Sequence, residues 1–155
     1  MNTYFFDTSA LVKRYHQEDG TPATDSLFSE PDVRFVISDI CIIEFYSAMA
    51  LKVRTGEIGE SSFAMLRKLF AADIRNGIYE VAEFSGAEKT ESVNLLLKYG
   101  MNRSLKTLDA IQLSIIKSVK YDKIKVVCAD EKFCRIILLE GFEAINPMIQ
   151  ECQTS

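Results

Sequence analysis

Short apolar runs alternate with longer segments of helical period along the whole chain. The apolar runs predict five strands, at Thr3–Phe6, Arg34–Ile37, Ile78–Val81, Lys123–Cys128 and Phe142–Ile145. Apolar residues spaced three and four apart predict helices at Ala10–Tyr15, Ala23–Ser29, Asp39–Arg54, Glu60–Asn76, Gly86–Lys98, Thr107–Lys120 and Glu131–Leu139. Strands that alternate with helices indicate a parallel sheet covered on both faces. The expected fold class is α/β, a three-layer α/β/α arrangement around a central parallel sheet of four to five strands.

The composition is that of an ordinary globular protein, with 155 residues of which 48% are hydrophobic. The sequence contains no repeat or linker, so we expect one domain over residues 1–150 and a short tail at 151–155. We expect no signal peptide and no membrane span, and hence a cytoplasmic protein. The net charge of −4 argues against a protein that coats nucleic acid by bulk electrostatics.

Cysteine and histidine usage limits the metals that the chain could bind. The four cysteines are Cys41, Cys128, Cys134 and Cys152, and none forms a C-x-x-C pair. The first three lie in apolar patterns, where a free thiol behaves as a small hydrophobe. His16 is the only histidine and is expected at the surface. A zinc site and disulfides are therefore disfavoured, and the ligands of any bound metal should be oxygens.

Two acids follow predicted strands. Asp7 comes directly after the first strand, and Asp130 follows the fourth strand and opens a helix. If the two strands are parallel, both carboxylates emerge at the same edge of the sheet, where sites form in open α/β folds. Each acid could instead be a helix N-cap, which contributes about 1 kcal/mol. Thr8 and Ser9, directly after Asp7, are also able to cap a helix.

Two further acids lie among apolar helical neighbours. Glu44 has Ile40, Ala48 and Leu51 at positions i−4, i+4 and i+7. Asp109 has its neighbours at the same spacings in Leu105, Leu113 and Ile116, whereas Ser114 and Lys117 are expected on the opposite, solvent-facing side. Both carboxylates should therefore be at least partly withdrawn from water.

The cost of burial favours a shared ligand for these acids. An unpaired buried carboxylate costs several kcal/mol, against a total domain stability of roughly 5–15 kcal/mol. Buried ion pairs with Arg or Lys are one solution. The other is a divalent cation, which converts the mutual repulsion of four converging carboxylates into coordination. Mg²⁺ and Mn²⁺ prefer such oxygen ligands.

The spacing of these acids resembles that of a known family. The segments are "FFDTSALVKRY", "IIEFYSAMA", "LKTLDAIQLS" and "VVCADEKF", followed by "EGFEAINP". In this order they resemble the PIN-domain nucleases, and within them the small VapC-type toxins of toxin–antitoxin pairs. The resemblance extends over residues 3–147. It implies a metal-dependent endoribonuclease with Asp7, Glu44, Asp109 and Asp130 around Mg²⁺ or Mn²⁺, supported by Thr8 and Ser9.

The resemblance also implies roles and partners. Asp7 and Asp109 would be direct ligands completed by Asp130, and Glu44 would ligate a second ion or hold a metal-bound water. RNA would be the substrate, a cognate antitoxin the inhibitor and a homodimer the assembly. Among the basic residues, Arg103 is the first choice for an RNA phosphate contact, with Lys13 and Arg14 as further candidates. Basic residues at helix ends can equally be merely solvated.

Other functions are compatible with an acidic sheet edge. A PIN nuclease that processes RNA without an antitoxin would use the same chemistry. A Mg²⁺-dependent phosphatase of the haloacid dehalogenase type would carry Asp-x-Asp after the first strand, where this chain has Ser9 as the third residue. A receiver-like, non-catalytic metal-binding module would need an acceptor Asp after a central strand. Asp39 follows a strand but is predicted to begin a helix.

Overall fold

The computed structural model of the protein describes residues 1–149. The predicted tail at 151–155 and Cys152 lie outside the described residues. Within them the strands are β1 Asn2–Phe6, β2 Val33–Ser38, β3 Tyr79–Ala82, β4 Ile124–Val127 and β5 Glu143–Ile145. The helices are α1 Thr8–Tyr15, α2 Thr21–Phe28, α3 Asp39–Arg54, α4 Glu60–Arg75, α5 Gly86–Tyr99, α6 Thr107–Ser118 and α7 Glu131–Leu139. Every predicted element is present within a few residues of its expected bounds.

The five strands form one parallel sheet in the order β3-β2-β1-β4-β5. β1 is central, and Tyr4 pairs with Phe35 of β2 on one side and Lys125 of β4 on the other. After β3 the chain crosses to the other side of β1, so the strand order reverses there. In open α/β sheets, ligands bind at such a reversal, outside the carboxyl ends of the strands.

Two hydrophobic clusters cover the two faces of the sheet. Successive residues of β1 point to opposite faces, so Tyr4 and Phe6 belong to the first cluster and Phe5 belongs to the second. Helices α1–α4 contribute to the first cluster, with Phe45 and Phe70 as large buried residues. Helices α5–α7 contribute to the second. The predicted three-layer α/β/α fold with a parallel sheet is therefore confirmed.

Glu140, which follows α7, connects the helices of the second layer. Its carboxylate accepts hydrogen bonds from Lys98 Nζ at 2.9 Å, Lys117 Nζ at 2.8 Å and the hydroxyl of Tyr99. Burial alone would raise the pKa of Glu140, but the hydrogen bonds from Lys117, Lys98 and Tyr99 lower this pKa to about 2. The ionised carboxylate therefore stabilises the packing of α7 against α5 and α6.

We expect Glu140→Gln to lower the free energy of unfolding by roughly 1–3 kcal/mol at pH 7. Because the folded pKa is depressed, this contribution is present above the ordinary glutamate pKa of 4.5. It is lost as the pH falls toward 2. Urea unfolding at pH 7 and pH 3 measures both values, and the control is Glu143→Gln, which alters an exposed acid on β5. An equal cost at the two pH values would contradict the role assigned to the ionised form.

Candidate active site

A cleft of about 390 Å³ opens beyond the carboxyl ends of β1 and β4. The four predicted acids and the two supporting hydroxyl residues all line it: Asp7, Glu44, Asp109, Asp130, Thr8 and Ser9. They come from the end of β1, from α1, from α3, from α6 and from the residue before α7. Tertiary folding thus assembles one site from four separated segments of the sequence.

Asp7 forms the buried base of the cleft, with 7% of its surface exposed. Burial raises the pKa of its carboxyl group, and hydrogen bonds from Ser9 and Gln112 partly offset this rise. The Ser9 hydroxyl donates to Asp7 Oδ2 and accepts the Ala129 N–H at 3.0 Å. Ser9 therefore ties the end of β1 to the segment that follows β4, and holds the Asp7 carboxylate between them.

Glu44 and Asp109 are both partly buried and line the cleft with Asp7. Burial, followed by the charges of Asp7 and Asp109, raises the pKa of Glu44 to about 7. Burial, followed by the charges of Asp7 and Asp130, raises the pKa of Asp109 to about 6. The four carboxylates are therefore close enough to repel one another, as expected for a site that concentrates negative charge.

Asp130 is both a helix cap and part of the cleft. Its Oδ1 accepts the Phe133 N–H at 3.1 Å at the start of α7. Asp7 likewise caps α1, because its Oδ2 accepts the Ser9 N–H at 3.2 Å. Asp7 and Asp130 therefore have both roles, because a carboxylate that caps a helix at this edge of the sheet also faces the cleft.

The apolar neighbours of Glu44 form the wall of the cleft. The buried stripe of α3 consists of Cys41, Phe45 and Met49. Glu44 lies one position away from this stripe, and Ala48 and Leu51, from its own face, line the cleft. Glu44 is therefore withdrawn from water beside an apolar wall and not inside the hydrophobic core.

The solvent-facing position predicted for Ser114 on α6 is wrong. Ser114 is 1% exposed and its hydroxyl accepts a hydrogen bond from Ser92 of α5 at 3.0 Å. α5 packs against this side of α6 and covers it. The side chain of Lys117, predicted on the same side, is 33% exposed, and its ammonium group forms ion pairs with Glu91 at 2.6 Å and Glu140 at 2.8 Å.

Ion pairs do not neutralise the acidic cleft. Over residues 1–149, none of the Lys, Arg, His or N-terminal ion pairs involves Asp7, Glu44, Asp109 or Asp130. The alternative of buried ion pairs therefore has no support in this part of the chain. Carboxylate and hydroxyl oxygens that take part in no salt bridge are a donor set that fits a hard divalent cation.

The basic residues chosen as phosphate contacts lie outside the lining of this cleft. Lys13 is buried and its Nζ lies 3.0 Å from Glu18 Oε1. Arg14 pairs with Asp25 at 2.9 Å and stacks over the Phe28 ring. Arg103 is exposed in the turn after α5.

A second acidic group lies on the far side of α1. His16, Glu18 and Glu57 place one ligand atom each within 4.8 Å of one another. His16, predicted to lie at the surface, is partly buried, with its side chain 20% exposed. Lys52 Nζ lies 2.9 Å from Glu18 and 2.8 Å from Glu57. This ammonium group already compensates the two carboxylates, so the group is an ion-pair network and not a second metal site.

Sequence reasoning overlooked two polar residues near the acids. Arg54, in the last turn of α3, lines the cleft and is exposed. Gln112 is 1% exposed and its Nε2 lies 3.5 Å from Asp7 Oδ1. The local signal for Gln112 was an amide three residues after Asp109, between apolar neighbours. No local pattern distinguished Arg54, because a basic residue in the last turn of a helix is common without any function.

Two of the buried thiols contact the site. Thr8 Oγ1 donates to Cys41 Sγ at 3.2 Å, and Cys128 Sγ lies 3.8 Å from Asp7 Oδ2. Burial raises the pKa of the Cys41 thiol, and a hydrogen bond with Cys134 together with burial raises the pKa of the Cys128 thiol. Both thiols therefore remain neutral, and they pack beneath Asp7 as the small apolar residues that the sequence pattern predicted.

The fold and the site define an α/β protein with an acidic quartet at the point of strand reversal. The family model for the PIN domain matches residues 4–137, a range that includes all four acids. The chain belongs to the PIN domain family. A comparison with curated protein sequences finds no match.

Solved structures with this fold include toxin–antitoxin proteins. FitAcB from Neisseria gonorrhoeae gives a TM-score of 0.67 at 14% identity, covering 95% of this chain and 99% of that one. VapC20 from Mycobacterium tuberculosis, described as a sarcin-ricin loop cleaving toxin, gives 0.65 at 17% identity, covering 93% and 99%. VapBC2 from Rickettsia felis, bound to a promoter DNA fragment, gives 0.60 at 18% identity, covering 93% and 98%. The chain therefore has the fold of VapC-type PIN proteins over nearly its whole length.

None of the helices in residues 1–149 combines the length and apolar character required to cross a membrane.

Proposed function

We propose that the protein is a cytoplasmic, metal-dependent endoribonuclease that acts as the toxin of a toxin–antitoxin pair. The carrying observation is that Asp7, Glu44, Asp109 and Asp130 line one cleft without ion-pair partners in residues 1–149. The PIN domain match and the toxin folds among the structural neighbours support this assignment. The family match also argues against the phosphatase alternative.

The donor set fits Mg²⁺ or Mn²⁺. Asp7 and Asp109 would hold the ion, Asp130 would complete the ligand set and Glu44 would hold either a second ion or the attacking water. A bound divalent ion supplies charge neutralisation at the scissile phosphate and a lower pKa for water. Ser9 and Thr8 would keep the acids oriented through their hydroxyl groups, and the apolar wall formed by Ala48 and Leu51 would limit access of bulk water.

The direct test is cleavage of transfer, ribosomal and messenger RNA by the purified protein with Mg²⁺ or Mn²⁺. We expect discrete cuts that disappear on addition of EDTA and return when the metal is restored in excess. A protein that binds the metal but leaves all three classes of RNA intact would contradict the nuclease assignment. Comparing the two metals at equal concentration decides which one supports the faster reaction.

Arg54 is the cationic residue that the cleft lining offers to RNA. It lies at the end of the α3 face that carries Glu44 and Leu51. A guanidinium beside four acids can bind a phosphate oxygen one nucleotide away from the scissile bond. We propose Arg54 as a substrate contact in addition to Arg103, Lys13 and Arg14, whose assignments from sequence stay predictions.

We expect Arg54→Ala to raise KM for RNA about tenfold, because a hydrogen bond to a charged group contributes about 1.5–3 kcal/mol and less when exposed. Metal binding in the absence of RNA should not change. The matched control is Arg75→Ala, another exposed arginine in the last turn of a long helix, which does not line the cleft. If both substitutions raised KM equally, the effect of Arg54 would reflect the net charge of the protein and not a contact with RNA in the cleft.

The antitoxin would occupy the same cleft. Leu51 and Leu108 line it and are 49% and 50% exposed, and Ile43 on α3 is 67% exposed. A segment with a basic side chain between apolar residues would match this combination of acidic base and apolar rim. The structural neighbours that are antitoxin complexes support such a partner.

Co-expression with the neighbouring small open reading frame tests the partner. We expect a stable complex and relief of growth inhibition. Absence of both would favour the alternative of an RNA-processing PIN nuclease without an antitoxin. The homodimer expected from the resemblance stays a prediction, which the molar mass of the protein in solution tests.

A further inference from the structure

Gln112 is a buried amide at the junction of the elements that carry the acids. It follows Asp109 by three residues on α6 and is 1% exposed. A buried primary amide requires partners for its donors and its acceptor. The partners of this amide are Ser38, which ends β2 and caps α3, and Asp7, which follows β1. Gln112 therefore connects β1, α3 and α6 beneath the cleft.

The hydroxyl of Ser38 fixes the orientation of the amide. Ser38 Oγ accepts the Cys41 N–H at 2.9 Å and donates its own proton to Gln112 Oε1 at 2.5 Å. Gln112 Nε2 then points at Asp7 Oδ1, at 3.5 Å. When Asp7 is ionised, as binding of a cation requires, the opposite orientation would place Oε1 against a carboxylate oxygen with no proton between them. The charge of Asp7 and the donor of Ser38 thus select the same orientation.

The two oxygens of Asp7 are held from different directions. Oδ2 accepts the N–H and the hydroxyl of Ser9, at 3.2 and 2.5 Å. Oδ1 accepts from Gln112, so the amide limits rotation of the carboxylate about its own axis. A carboxylate held at both oxygens by hydrogen-bond donors presents its remaining lone pairs in a defined direction.

We propose that Gln112 is a positioning residue that orients Asp7 for binding of the divalent ion, with Ser38 holding the Gln112 amide in place. This inference rests on the proposed metal site. Gln112 touches neither the RNA nor the ion in this role, and acts through Asp7.

Calorimetric titration of the RNA-free protein with Mn²⁺ tests the role without any activity measurement. We expect Gln112→Met, which keeps the length of the side chain but removes the amide, to weaken Mn²⁺ binding about tenfold or more. The matched control is Ser114→Ala on the same helix. It removes an equally buried hydroxyl and its hydrogen bond to Ser92, away from the cleft. This control should bind Mn²⁺ within about twofold of the parent protein.

A double-mutant cycle tests the part assigned to Ser38. Ser38→Ala should weaken Mn²⁺ binding in the parent protein, because the amide loses its orienting donor. In the Gln112→Met background the same change should have no further effect on Mn²⁺ affinity. Its effect on stability as the lost N-cap of α3 should persist in both backgrounds, which separates positioning from capping. If the losses of Mn²⁺ affinity caused by Ser38→Ala and Gln112→Met were additive, the proposal that Ser38 acts through Gln112 would be overturned.

The outcomes separate the two proposals. If the parent protein fails to bind Mn²⁺, the metal site and the role of Gln112 are both wrong. If the parent protein binds Mn²⁺ and folded Gln112→Met binds it within about twofold, only the role of Gln112 is overturned. Should Gln112→Met fail to fold, Gln112→Asn replaces it. The Asn side chain is one methylene too short to bridge Ser38 and Asp7, so we expect the same loss of Mn²⁺ affinity.

Discussion

We expect Asp109→Asn to reduce metal-dependent RNA cleavage by at least about 100-fold, because the change removes a charged ligand from the proposed site. The same change should stabilise the metal-free protein by roughly 1–2 kcal/mol, since the carboxylate is partly buried and repelled by Asp7 and Asp130. Cleavage of labelled RNA and urea unfolding in EDTA measure the two effects. Opposite signs for activity and stability are characteristic of a residue retained for function.

The control for this variant is Asp122→Asn, which neutralises an exposed acid between α6 and β4 outside the cleft lining. It should change neither cleavage nor stability by much. If Asp109→Asn lowered the free energy of unfolding, Asp109 would be a structural acid, and the loss of cleavage would report misfolding.

We expect pH to act in opposite directions on the metal-free and the metal-bound protein. The pKa values of Glu44 and Asp109, about 7 and about 6, are raised above their ordinary values of 4.5 and 3.8. Because the folded state binds these protons more tightly, their stabilising contribution is present below about pH 4 and is lost as the pH rises through 6 and 7. Metal ions require the deprotonated form, so apparent metal affinity should rise roughly 10- to 100-fold from pH 5.5 to 7.5.

Thermal unfolding between pH 5 and 8, in EDTA and in excess Mn²⁺, measures this contrast. The Tm should fall with rising pH in EDTA, whereas the increase in Tm caused by Mn²⁺ should grow. Glu44→Gln should flatten the part of the EDTA profile near pH 7, since it removes the group that titrates there. Parallel profiles with and without metal would show that these acids do not bind the ion.

The strands, the helices and the acids could be predicted because their signals are local. A carboxylate directly after a strand, such as Asp7, is visible in a few residues. Glu44 was recognised because a charge among apolar neighbours is costly wherever the helix packs. That argument could not decide whether Glu44 lies in the hydrophobic core or in the wall of a cleft, because both surroundings are apolar. Only the packing of the other elements determines which face of α3 is covered.

The remaining features depend on which elements meet. Ser114 is buried because α5 covers it, and the spacing within α6 contains no information about that neighbour. Lys13 pairs with Glu18 and so lies outside the cleft lining, although it is near Asp7 in sequence. Gln112 acquires its role through Ser38, which is 74 residues away. Such partners are set by tertiary structure, and one sequence without its relatives does not reveal them.

The central position of β1, with β4 beside it, has a consequence for the order of synthesis. β1 is made first of the five strands, whereas its neighbour β4 and the acid that follows β4 are made only after β2, β3 and helices α1–α6. These contacts are distant in sequence and must wait for the loop between them to close. A growing chain would therefore carry Asp7 and Glu44 without the complete acidic cleft until β4 and Asp130 have been made. The ribosome that makes this chain would be exposed to nuclease activity only after the segment through Asp130 has been made.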